Sequence, residues 1–141
     1  MTENPKPNRK KLRIILDSNA LFVPEQFNID IFEEIKSLCG RNFELMLIAP
    51  VMDELKKIAG TGTPSMRKKA SMALKLAKKC TLLENTTEIE GSADDLILQA
   101  ARLYGYPVFT NDRQLRKRLR DINVPVIYVR QKSRLEINGR L

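Results

Sequence analysis

The chain contains no histidine. Without imidazole, Ser-His-Asp triads, Cys-His nucleophile pairs, histidine general bases and imidazole zinc sites are all excluded. Cysteine is scarce: Cys39 and Cys80 fall at the ends of expected helices, a usage that predicts small buried hydrophobes rather than a disulfide. Aromatic residues make up only 6% of the chain, so base stacking offers no argument for sequence-specific readout. No apolar run approaches the ~20 residues of a membrane helix. The N-terminal MTENPKPNRKK is polar and lacks the apolar centre of a signal peptide, so a soluble, cytoplasmic protein is expected, with no membrane partner. Acid is in deficit, with 17 Asp+Glu against 25 Lys+Arg and a formal charge of +8. Polyanions are the natural partners of such a surface, although it also serves solubility alone. Chemistry must therefore rest on carboxylates, Lys, Tyr, Ser/Thr or metal.

A chain of 141 residues suits one domain with a single core. The stretch that organises it is LRIILDSNAL, 12–21, in which the run Ile14-Ile15-Leu16 stops abruptly at Asp17 before the turn formers Ser18-Asn19. Such a run predicts a strand buried on both faces of a parallel sheet. Further strands are expected at 44–49, briefly at 81–83, at 107–110 and at 125–129. Helices are expected at 29–38, opened by Asn28 or Asp30; at 51–58, stopping at Gly60; at 66–79, capped by Thr63 with Pro64 first; at 92–104, closed by Gly105; and at 112–121. A connection is expected at 86–91. This alternation predicts an α/β fold, a three-layer α/β/α sandwich with a mostly parallel central sheet. Residues 1–11 read as a flexible basic tail, 12–129 as the domain, and 130–141 as a second basic tail.

Ligand sites in open α/β sheets lie beyond the carboxyl ends of the strands, and Asp17 stands there. Buried alone it would be costly, so it should meet a cation, a donor or a metal. Helical periodicity selects further acids. In 51–58 the buried stripe is Val51, Leu55 and Ile58, which puts Glu54 at its margin and Asp53 roughly opposite. In 92–104 the stripe is Ile97, Ala100, Ala101 and Tyr104, with Asp94 beside it and Asp95 facing away. Ser92-x-x-Asp95 has capping-box spacing, while Asp94 could be only a dipole partner. Asp112 follows the strand at 107–110 as Asp17 follows its own, and could equally be only a helix N-cap. Clustered carboxylates repel one another and must protonate or bind cations, and oxygen-only ligands favour Mg²⁺ or Mn²⁺. Two such ions about 4 Å apart can support phosphodiester cleavage without histidine.

These segments together resemble a PIN domain, the metal-dependent ribonuclease fold related to the PilT N-terminus, across residues 12–129. The matching stretches are ILDSNAL, PVMDELKK, SADDLILQAA and VFTNDRQLR. The resemblance implies catalytic, metal-holding acids at Asp17, Glu54, Asp94 and Asp112, with RNA as substrate. It also implies that Asn19, Thr110 and Asn111 orient those ligands, although local turn hydrogen bonding explains Asn19 and Thr110 as well. The opening DSNALFVPEQF and the ending PVIYVRQKSRLEING resemble archaeal VapC-like proteins similar to PIN proteins of small-subunit pre-rRNA processing. Two roles stay open, a toxin-like ribonuclease held by an antitoxin and a nuclease of the pre-ribosomal particle; homodimerisation is implied by resemblance alone.

Arg113, Arg116, Lys117, Arg118 and Arg120 crowd one short helix beginning at this site and suggest an RNA-binding surface. Lys6, Arg9, Lys10, Lys11, Arg130, Lys132 and Arg134 could extend it, while Phe22 and Tyr104 are assigned to the core. One alternative is an RNA-binding or assembly protein that cuts little. Another is a haloacid-dehalogenase-type phosphatase, which fits poorly because Asn19 stands where its second aspartate belongs.

Overall fold

The computed structural model describes residues 11–83 and 91–141. The tail cations Lys6, Arg9 and Lys10 and the expected connection at 86–90 lie outside the described residues. The first strand, β1 (Leu12–Leu16), is the middle of the molecule: Ile14, Ile15 and Leu16 are fully buried because strands flank it and helices cover it. Two short helices follow, α1 (Ser18–Leu21) and α2 (Val23–Phe27), where only turn formers were expected. Asp17 caps α1 through its side chain, and Asn28 ends α2 in the left-handed conformation that Asn tolerates well. Asp30, not Asn28, then opens α3 (Ile31–Cys39), accepting from the Phe32 and Glu33 amides.

Strand β2 (Phe43–Leu47) leads into α4 (Ala49–Thr61), with Pro50 in its first turn. Helix α4 runs through Gly60 and ends one residue later, the Gly62 amide donating to the Ile58 carbonyl. An isolated glycine weakens a helix by ~1 kcal/mol but does not stop one that is packed elsewhere. Thr63 caps α5 (Pro64–Ala77) as its hydroxyl accepts from the Met66 amide. The stripe α5 buries is Ala70, Ala73 and Ala77, while Met66 is 49% exposed.

After the two-residue strand β3 (Thr81–Leu82) comes α6 (Ala93–Tyr104), with the Ser92/Asp95 capping box intact and Gly105 left-handed at its end. Strand β4 (Val108–Phe109), α7 (Arg113–Asp121) and β5 (Val126–Arg130) complete the alternation. The segment read as a C-terminal tail holds a further strand, β6 (Arg134–Asn138), antiparallel to β5. Leu135 is buried in the core, and its amide donates to Glu34 Oε1 at 2.9 Å.

The sheet order is β3-β2-β1-β4-β5-β6, with β1 to β5 parallel, inside a three-layer α/β/α sandwich. The chain winds outward from β1 in one direction, then crosses to β4 on its other side. The carboxyl ends of β1 and β4 therefore form the switch point where open α/β sheets build sites. Cys39 and Cys80 are free and partly buried; burial raises the Cys39 thiol and pushes that of Cys80 up to about 11. No helix among the described residues is long and apolar enough to cross a membrane.

If β6 is part of the core, Leu135→Ala should lower the free energy of unfolding by about 2–5 kcal/mol in urea titrations, the cost of a large-to-small core change. A loss under about 0.5 kcal/mol would be a surface response and would place the hairpin outside the core.

Candidate functional site

Asp17 is 4% exposed at the end of β1, and its carboxylate is served by donors. The Ser18 amide reaches Oδ1 at 2.8 Å; Asn19 Nδ2 and Thr110 Oγ1 reach Oδ2 at 2.8 and 2.7 Å. Thr110, fully buried, donates its one proton to Asp17 while its oxygen accepts from the Asp112 amide at 3.1 Å and from Asn19 Nδ2 at 3.3 Å. That uses the whole capacity of a hydroxyl. Asn19 Oδ1 accepts from the Asn111 amide, and Asn111 Oδ1 accepts from the Val129 amide, each at 2.9 Å. The ends of β1, β4 and β5 are thereby stitched together by three side chains. Asn19, Thr110 and Asn111 thus stand where they can orient Asp17 and the start of α7.

Asp94 and Asp112 join Asp17 electrostatically. The Asp94 carboxyl is raised above the ordinary aspartate range, first by burial and then by the charges of Asp17 and Asp112, with Arg118 pulling the other way. Asp112 is a helix cap, as its strand-end position allowed: its Oδ1 accepts from the Gln114 and Leu115 amides at 2.9 and 3.4 Å. Asp95 faces its own capping box and also takes a 2.9 Å ion pair from Arg118. Glu54 is exposed on α4, as is Asp53, so burial does not separate those two. Glu54 is not among the charges that raise Asp94.

Among the described residues no group of three or more acids or cysteines is set closely enough to hold a metal ion. Asp17, Asp94 and Asp112 therefore share one electrostatic neighbourhood without closing into a ligand shell. Their chemistry fits a hard divalent cation all the same: the donors are all carboxylate oxygens, and a cation would relieve the repulsion that destabilises ionised Asp94.

The basic helix α7 divides once its contacts are resolved. Arg118 pairs with Asp95. Arg120 Nη1 donates to the Val124 carbonyl at 3.3 Å and lies so near Gly139, itself at φ +108°, that a Cβ there would collide with it. Arg116 sits over the Tyr128 ring, 4.3 Å from its centroid. Arg113 and Lys117 are exposed, without an ion pair among the described residues. Tyr104 is 38% exposed and stacked on Tyr106 at 5.2 Å, not in the core; Phe22 is half-buried against it. Tyr128 was missed by sequence reading, yet it alternates with Arg130 along β5, which already puts both on one face of the sheet.

Residues 14–132 match the model of a family described as a PIN like domain. Ribonuclease VapC4 of Methanocaldococcus jannaschii is 31% identical over 130 residues, covering 90% of this chain and 97% of that protein. Ribonuclease VapC9 of Archaeoglobus fulgidus is 26% identical over 128 residues, covering 91% and 90%. The solved structure of the PIN domain endonuclease Utp24 superposes with a TM-score of 0.76 at 27% identity, covering 92% of each chain.

Two outcomes test the site's physics. Thr110→Val removes a buried hydroxyl that serves both Asp17 and the Asp112 amide, and should cost about 1–3 kcal/mol in urea unfolding; an unchanged midpoint would mean the stitch carries no stability. For Asp94, a folded-state pKa above the unfolded one means the native state binds the proton more tightly, so stability falls as pH rises through the folded value. In metal-free buffer Asp94→Asn should thus raise the melting temperature near neutral pH. That gain should vanish once the pH drops below the ordinary aspartate pKa of about 3.9. A variant less stable at neutral pH would contradict the repulsion.

Proposed function

The chain belongs to the PIN-like domain family, and from that premise we propose that it is a metal-dependent endoribonuclease whose site is built from Asp17, Glu54, Asp94 and Asp112. The observation that carries this reading is the Asp17 carboxylate, buried at the switch point, locked by Asn19 and Thr110, and close enough to Asp94 and Asp112 to raise Asp94. Both VapC relatives are ribonucleases, and the structural neighbour Utp24 is a PIN domain endonuclease.

Asp17, Asp94, Asp112 and Glu54 would hold Mg²⁺ or Mn²⁺, Glu54 by a change of rotamer that its exposure allows. The bound metal supplies activation of water and neutralisation of charge on the departing oxygen. The protein's own contribution is positional. Three donors on Asp17 fix both of its oxygens, so its orientation is set before substrate arrives. Asp94, whose ionised form is opposed by burial and by the charges of Asp17 and Asp112, is the acid that a bound cation would relieve most. Arg113 and Lys117 face solvent at the start and middle of α7 and draw the phosphate backbone to this edge.

Two roles remain within the proposal, a toxin-like ribonuclease countered by an antitoxin protein and a processing nuclease on a pre-ribosomal particle. One observation favours a second reading, an RNA-binding protein that cuts little: the acids do not close into a ligand shell among the described residues. Cleavage separates the two. A mixed RNA pool should be cut in Mn²⁺ or Mg²⁺, with Asp17→Asn and Asp94→Asn each losing more than about 100-fold, since even outer partners of a ligand are worth about 10–100-fold. Equal residual cutting by all three proteins would remove the nuclease and leave the binding protein.

A further inference from the structure

Resting on the ribonuclease reading, we propose that the cleft between the start of α7 and the β5–β6 hairpin is a subsite for the RNA backbone, gripping a phosphodiester other than the one to be cut at the acidic site. The cleft encloses about 440 Å³ and is lined in part by Asn111, Arg113, Arg116, Tyr128, Arg130 and Lys132. That volume lies within the ligand-pocket range of about 300–1,000 Å³. Four cations face it, and no carboxylate is among its lining residues.

The charge is poorly compensated. Glu136 is shared between Arg130 at 3.4 Å and Arg134 at 3.0 Å, and Arg113, Arg116 and Lys132 make no ion pair among the described residues. Arg116 is held in place by other means, its guanidinium over the Tyr128 ring, whose hydroxyl donates to Glu136 Oε1 at 3.4 Å. A guanidinium stacked on a ring keeps its N–H donors in its own plane, where they can meet phosphate oxygens. The hairpin turn closes with the Ser133 amide donating to the Arg130 carbonyl at 3.1 Å. Gln131 and Lys132 both occupy left-handed backbone there, at φ 53° and 57°, a turn usually built from Asn and Gly. Long polar side chains stand on this tip and line the cleft.

Asn111 connects the cleft to the acids. It lines the cleft, and its amide also donates to the Asn19 that holds Asp17. A strand gripped there runs directly to the acidic edge. The same contacts divide the basic residues: Arg113, Arg116, Arg130 and Lys132 bind, while Arg118 and Arg120 brace the fold.

The test uses the full chain in chelator, with a short fluorescein-labelled single-stranded RNA of mixed sequence read by anisotropy across a salt series. R113Q/K132Q should weaken binding about 10-fold near 0.1 M salt and lower the log–log salt slope by about 1.4, two phosphate contacts at ~0.7 each. K68Q/K69Q, an equal charge change at exposed positions of α5, should cost less than about 2-fold, and R113K/K132R should keep binding within the same margin. Equal losses in R113Q/K132Q and K68Q/K69Q would reduce the effect to net charge and overturn the subsite. So would displacement of the RNA by polyglutamate at matched charge, which would make the cleft a dock for acidic protein. Cleavage is scored separately. No cleavage with the binding deficit intact sinks the nuclease and spares the subsite; normal cleavage without the deficit does the reverse.

Discussion

A carboxylate withdrawn from water at the end of the central strand is the constraint on which the carboxyl edge of this molecule depends. Desolvating an acid costs several kcal/mol unless donors replace the lost water. Here the replacements are a neighbouring amide, a carboxamide and a hydroxyl. The hydroxyl belongs to Thr110, so the arrangement can form only when β4 lies beside β1 with Leu16 opposite Phe109. Satisfying one aspartate thus fixes the register of the two central strands. Asn111 passes the constraint to β5 through the Val129 amide.

Local chemistry in this chain was readable wherever it depended on neighbours in sequence. Ile14-Ile15-Leu16 announced a doubly covered strand, Thr63-Pro64 a helix start, and Ser92-x-x-Asp95 a capping box, because each signal is complete within four residues. Strand β6 was missed although Leu135 and Ile137 alternate with Arg134, Glu136 and Asn138, because five residues in a basic terminal stretch were read as tail and their partners, β5 and Glu34, are distant or unmarked in the sequence. Gly60 misled because packing of α4 on α5 outweighs a single unfavourable propensity. Tyr104 misled because the stripe of α6 ends at Ala101, one turn before the helix does.

At the candidate site the same division holds. Asp94 and Asp95 are separated by helical phase, and the structure gives them different surroundings, one among acids and the other in a cap with an arginine. Glu54 and Asp53 were separated by the same reasoning, yet both face solvent, because a 13-residue helix packed by Val51 and Leu55 leaves a broad open face. The arginines of α7 were legible as a charge cluster but not by partner. Asp95 and Gly139, which crowd Arg118 and Arg120, lie on other segments of the chain, and Val124 meets Arg120 only where the chain turns back after α7.

The two margins of the sheet have a consequence for how anything can attach to it. On one side β3 offers two residues, and on the other β6 carries Arg134 and Glu136. Short or charged margins resist being extended by a foreign strand, which is how native sheets avoid edge-to-edge aggregation. Among the described residues, recruitment by strand addition is therefore disfavoured at both ends. Crowded conditions that promote fibre growth in flatter sheets find little template here.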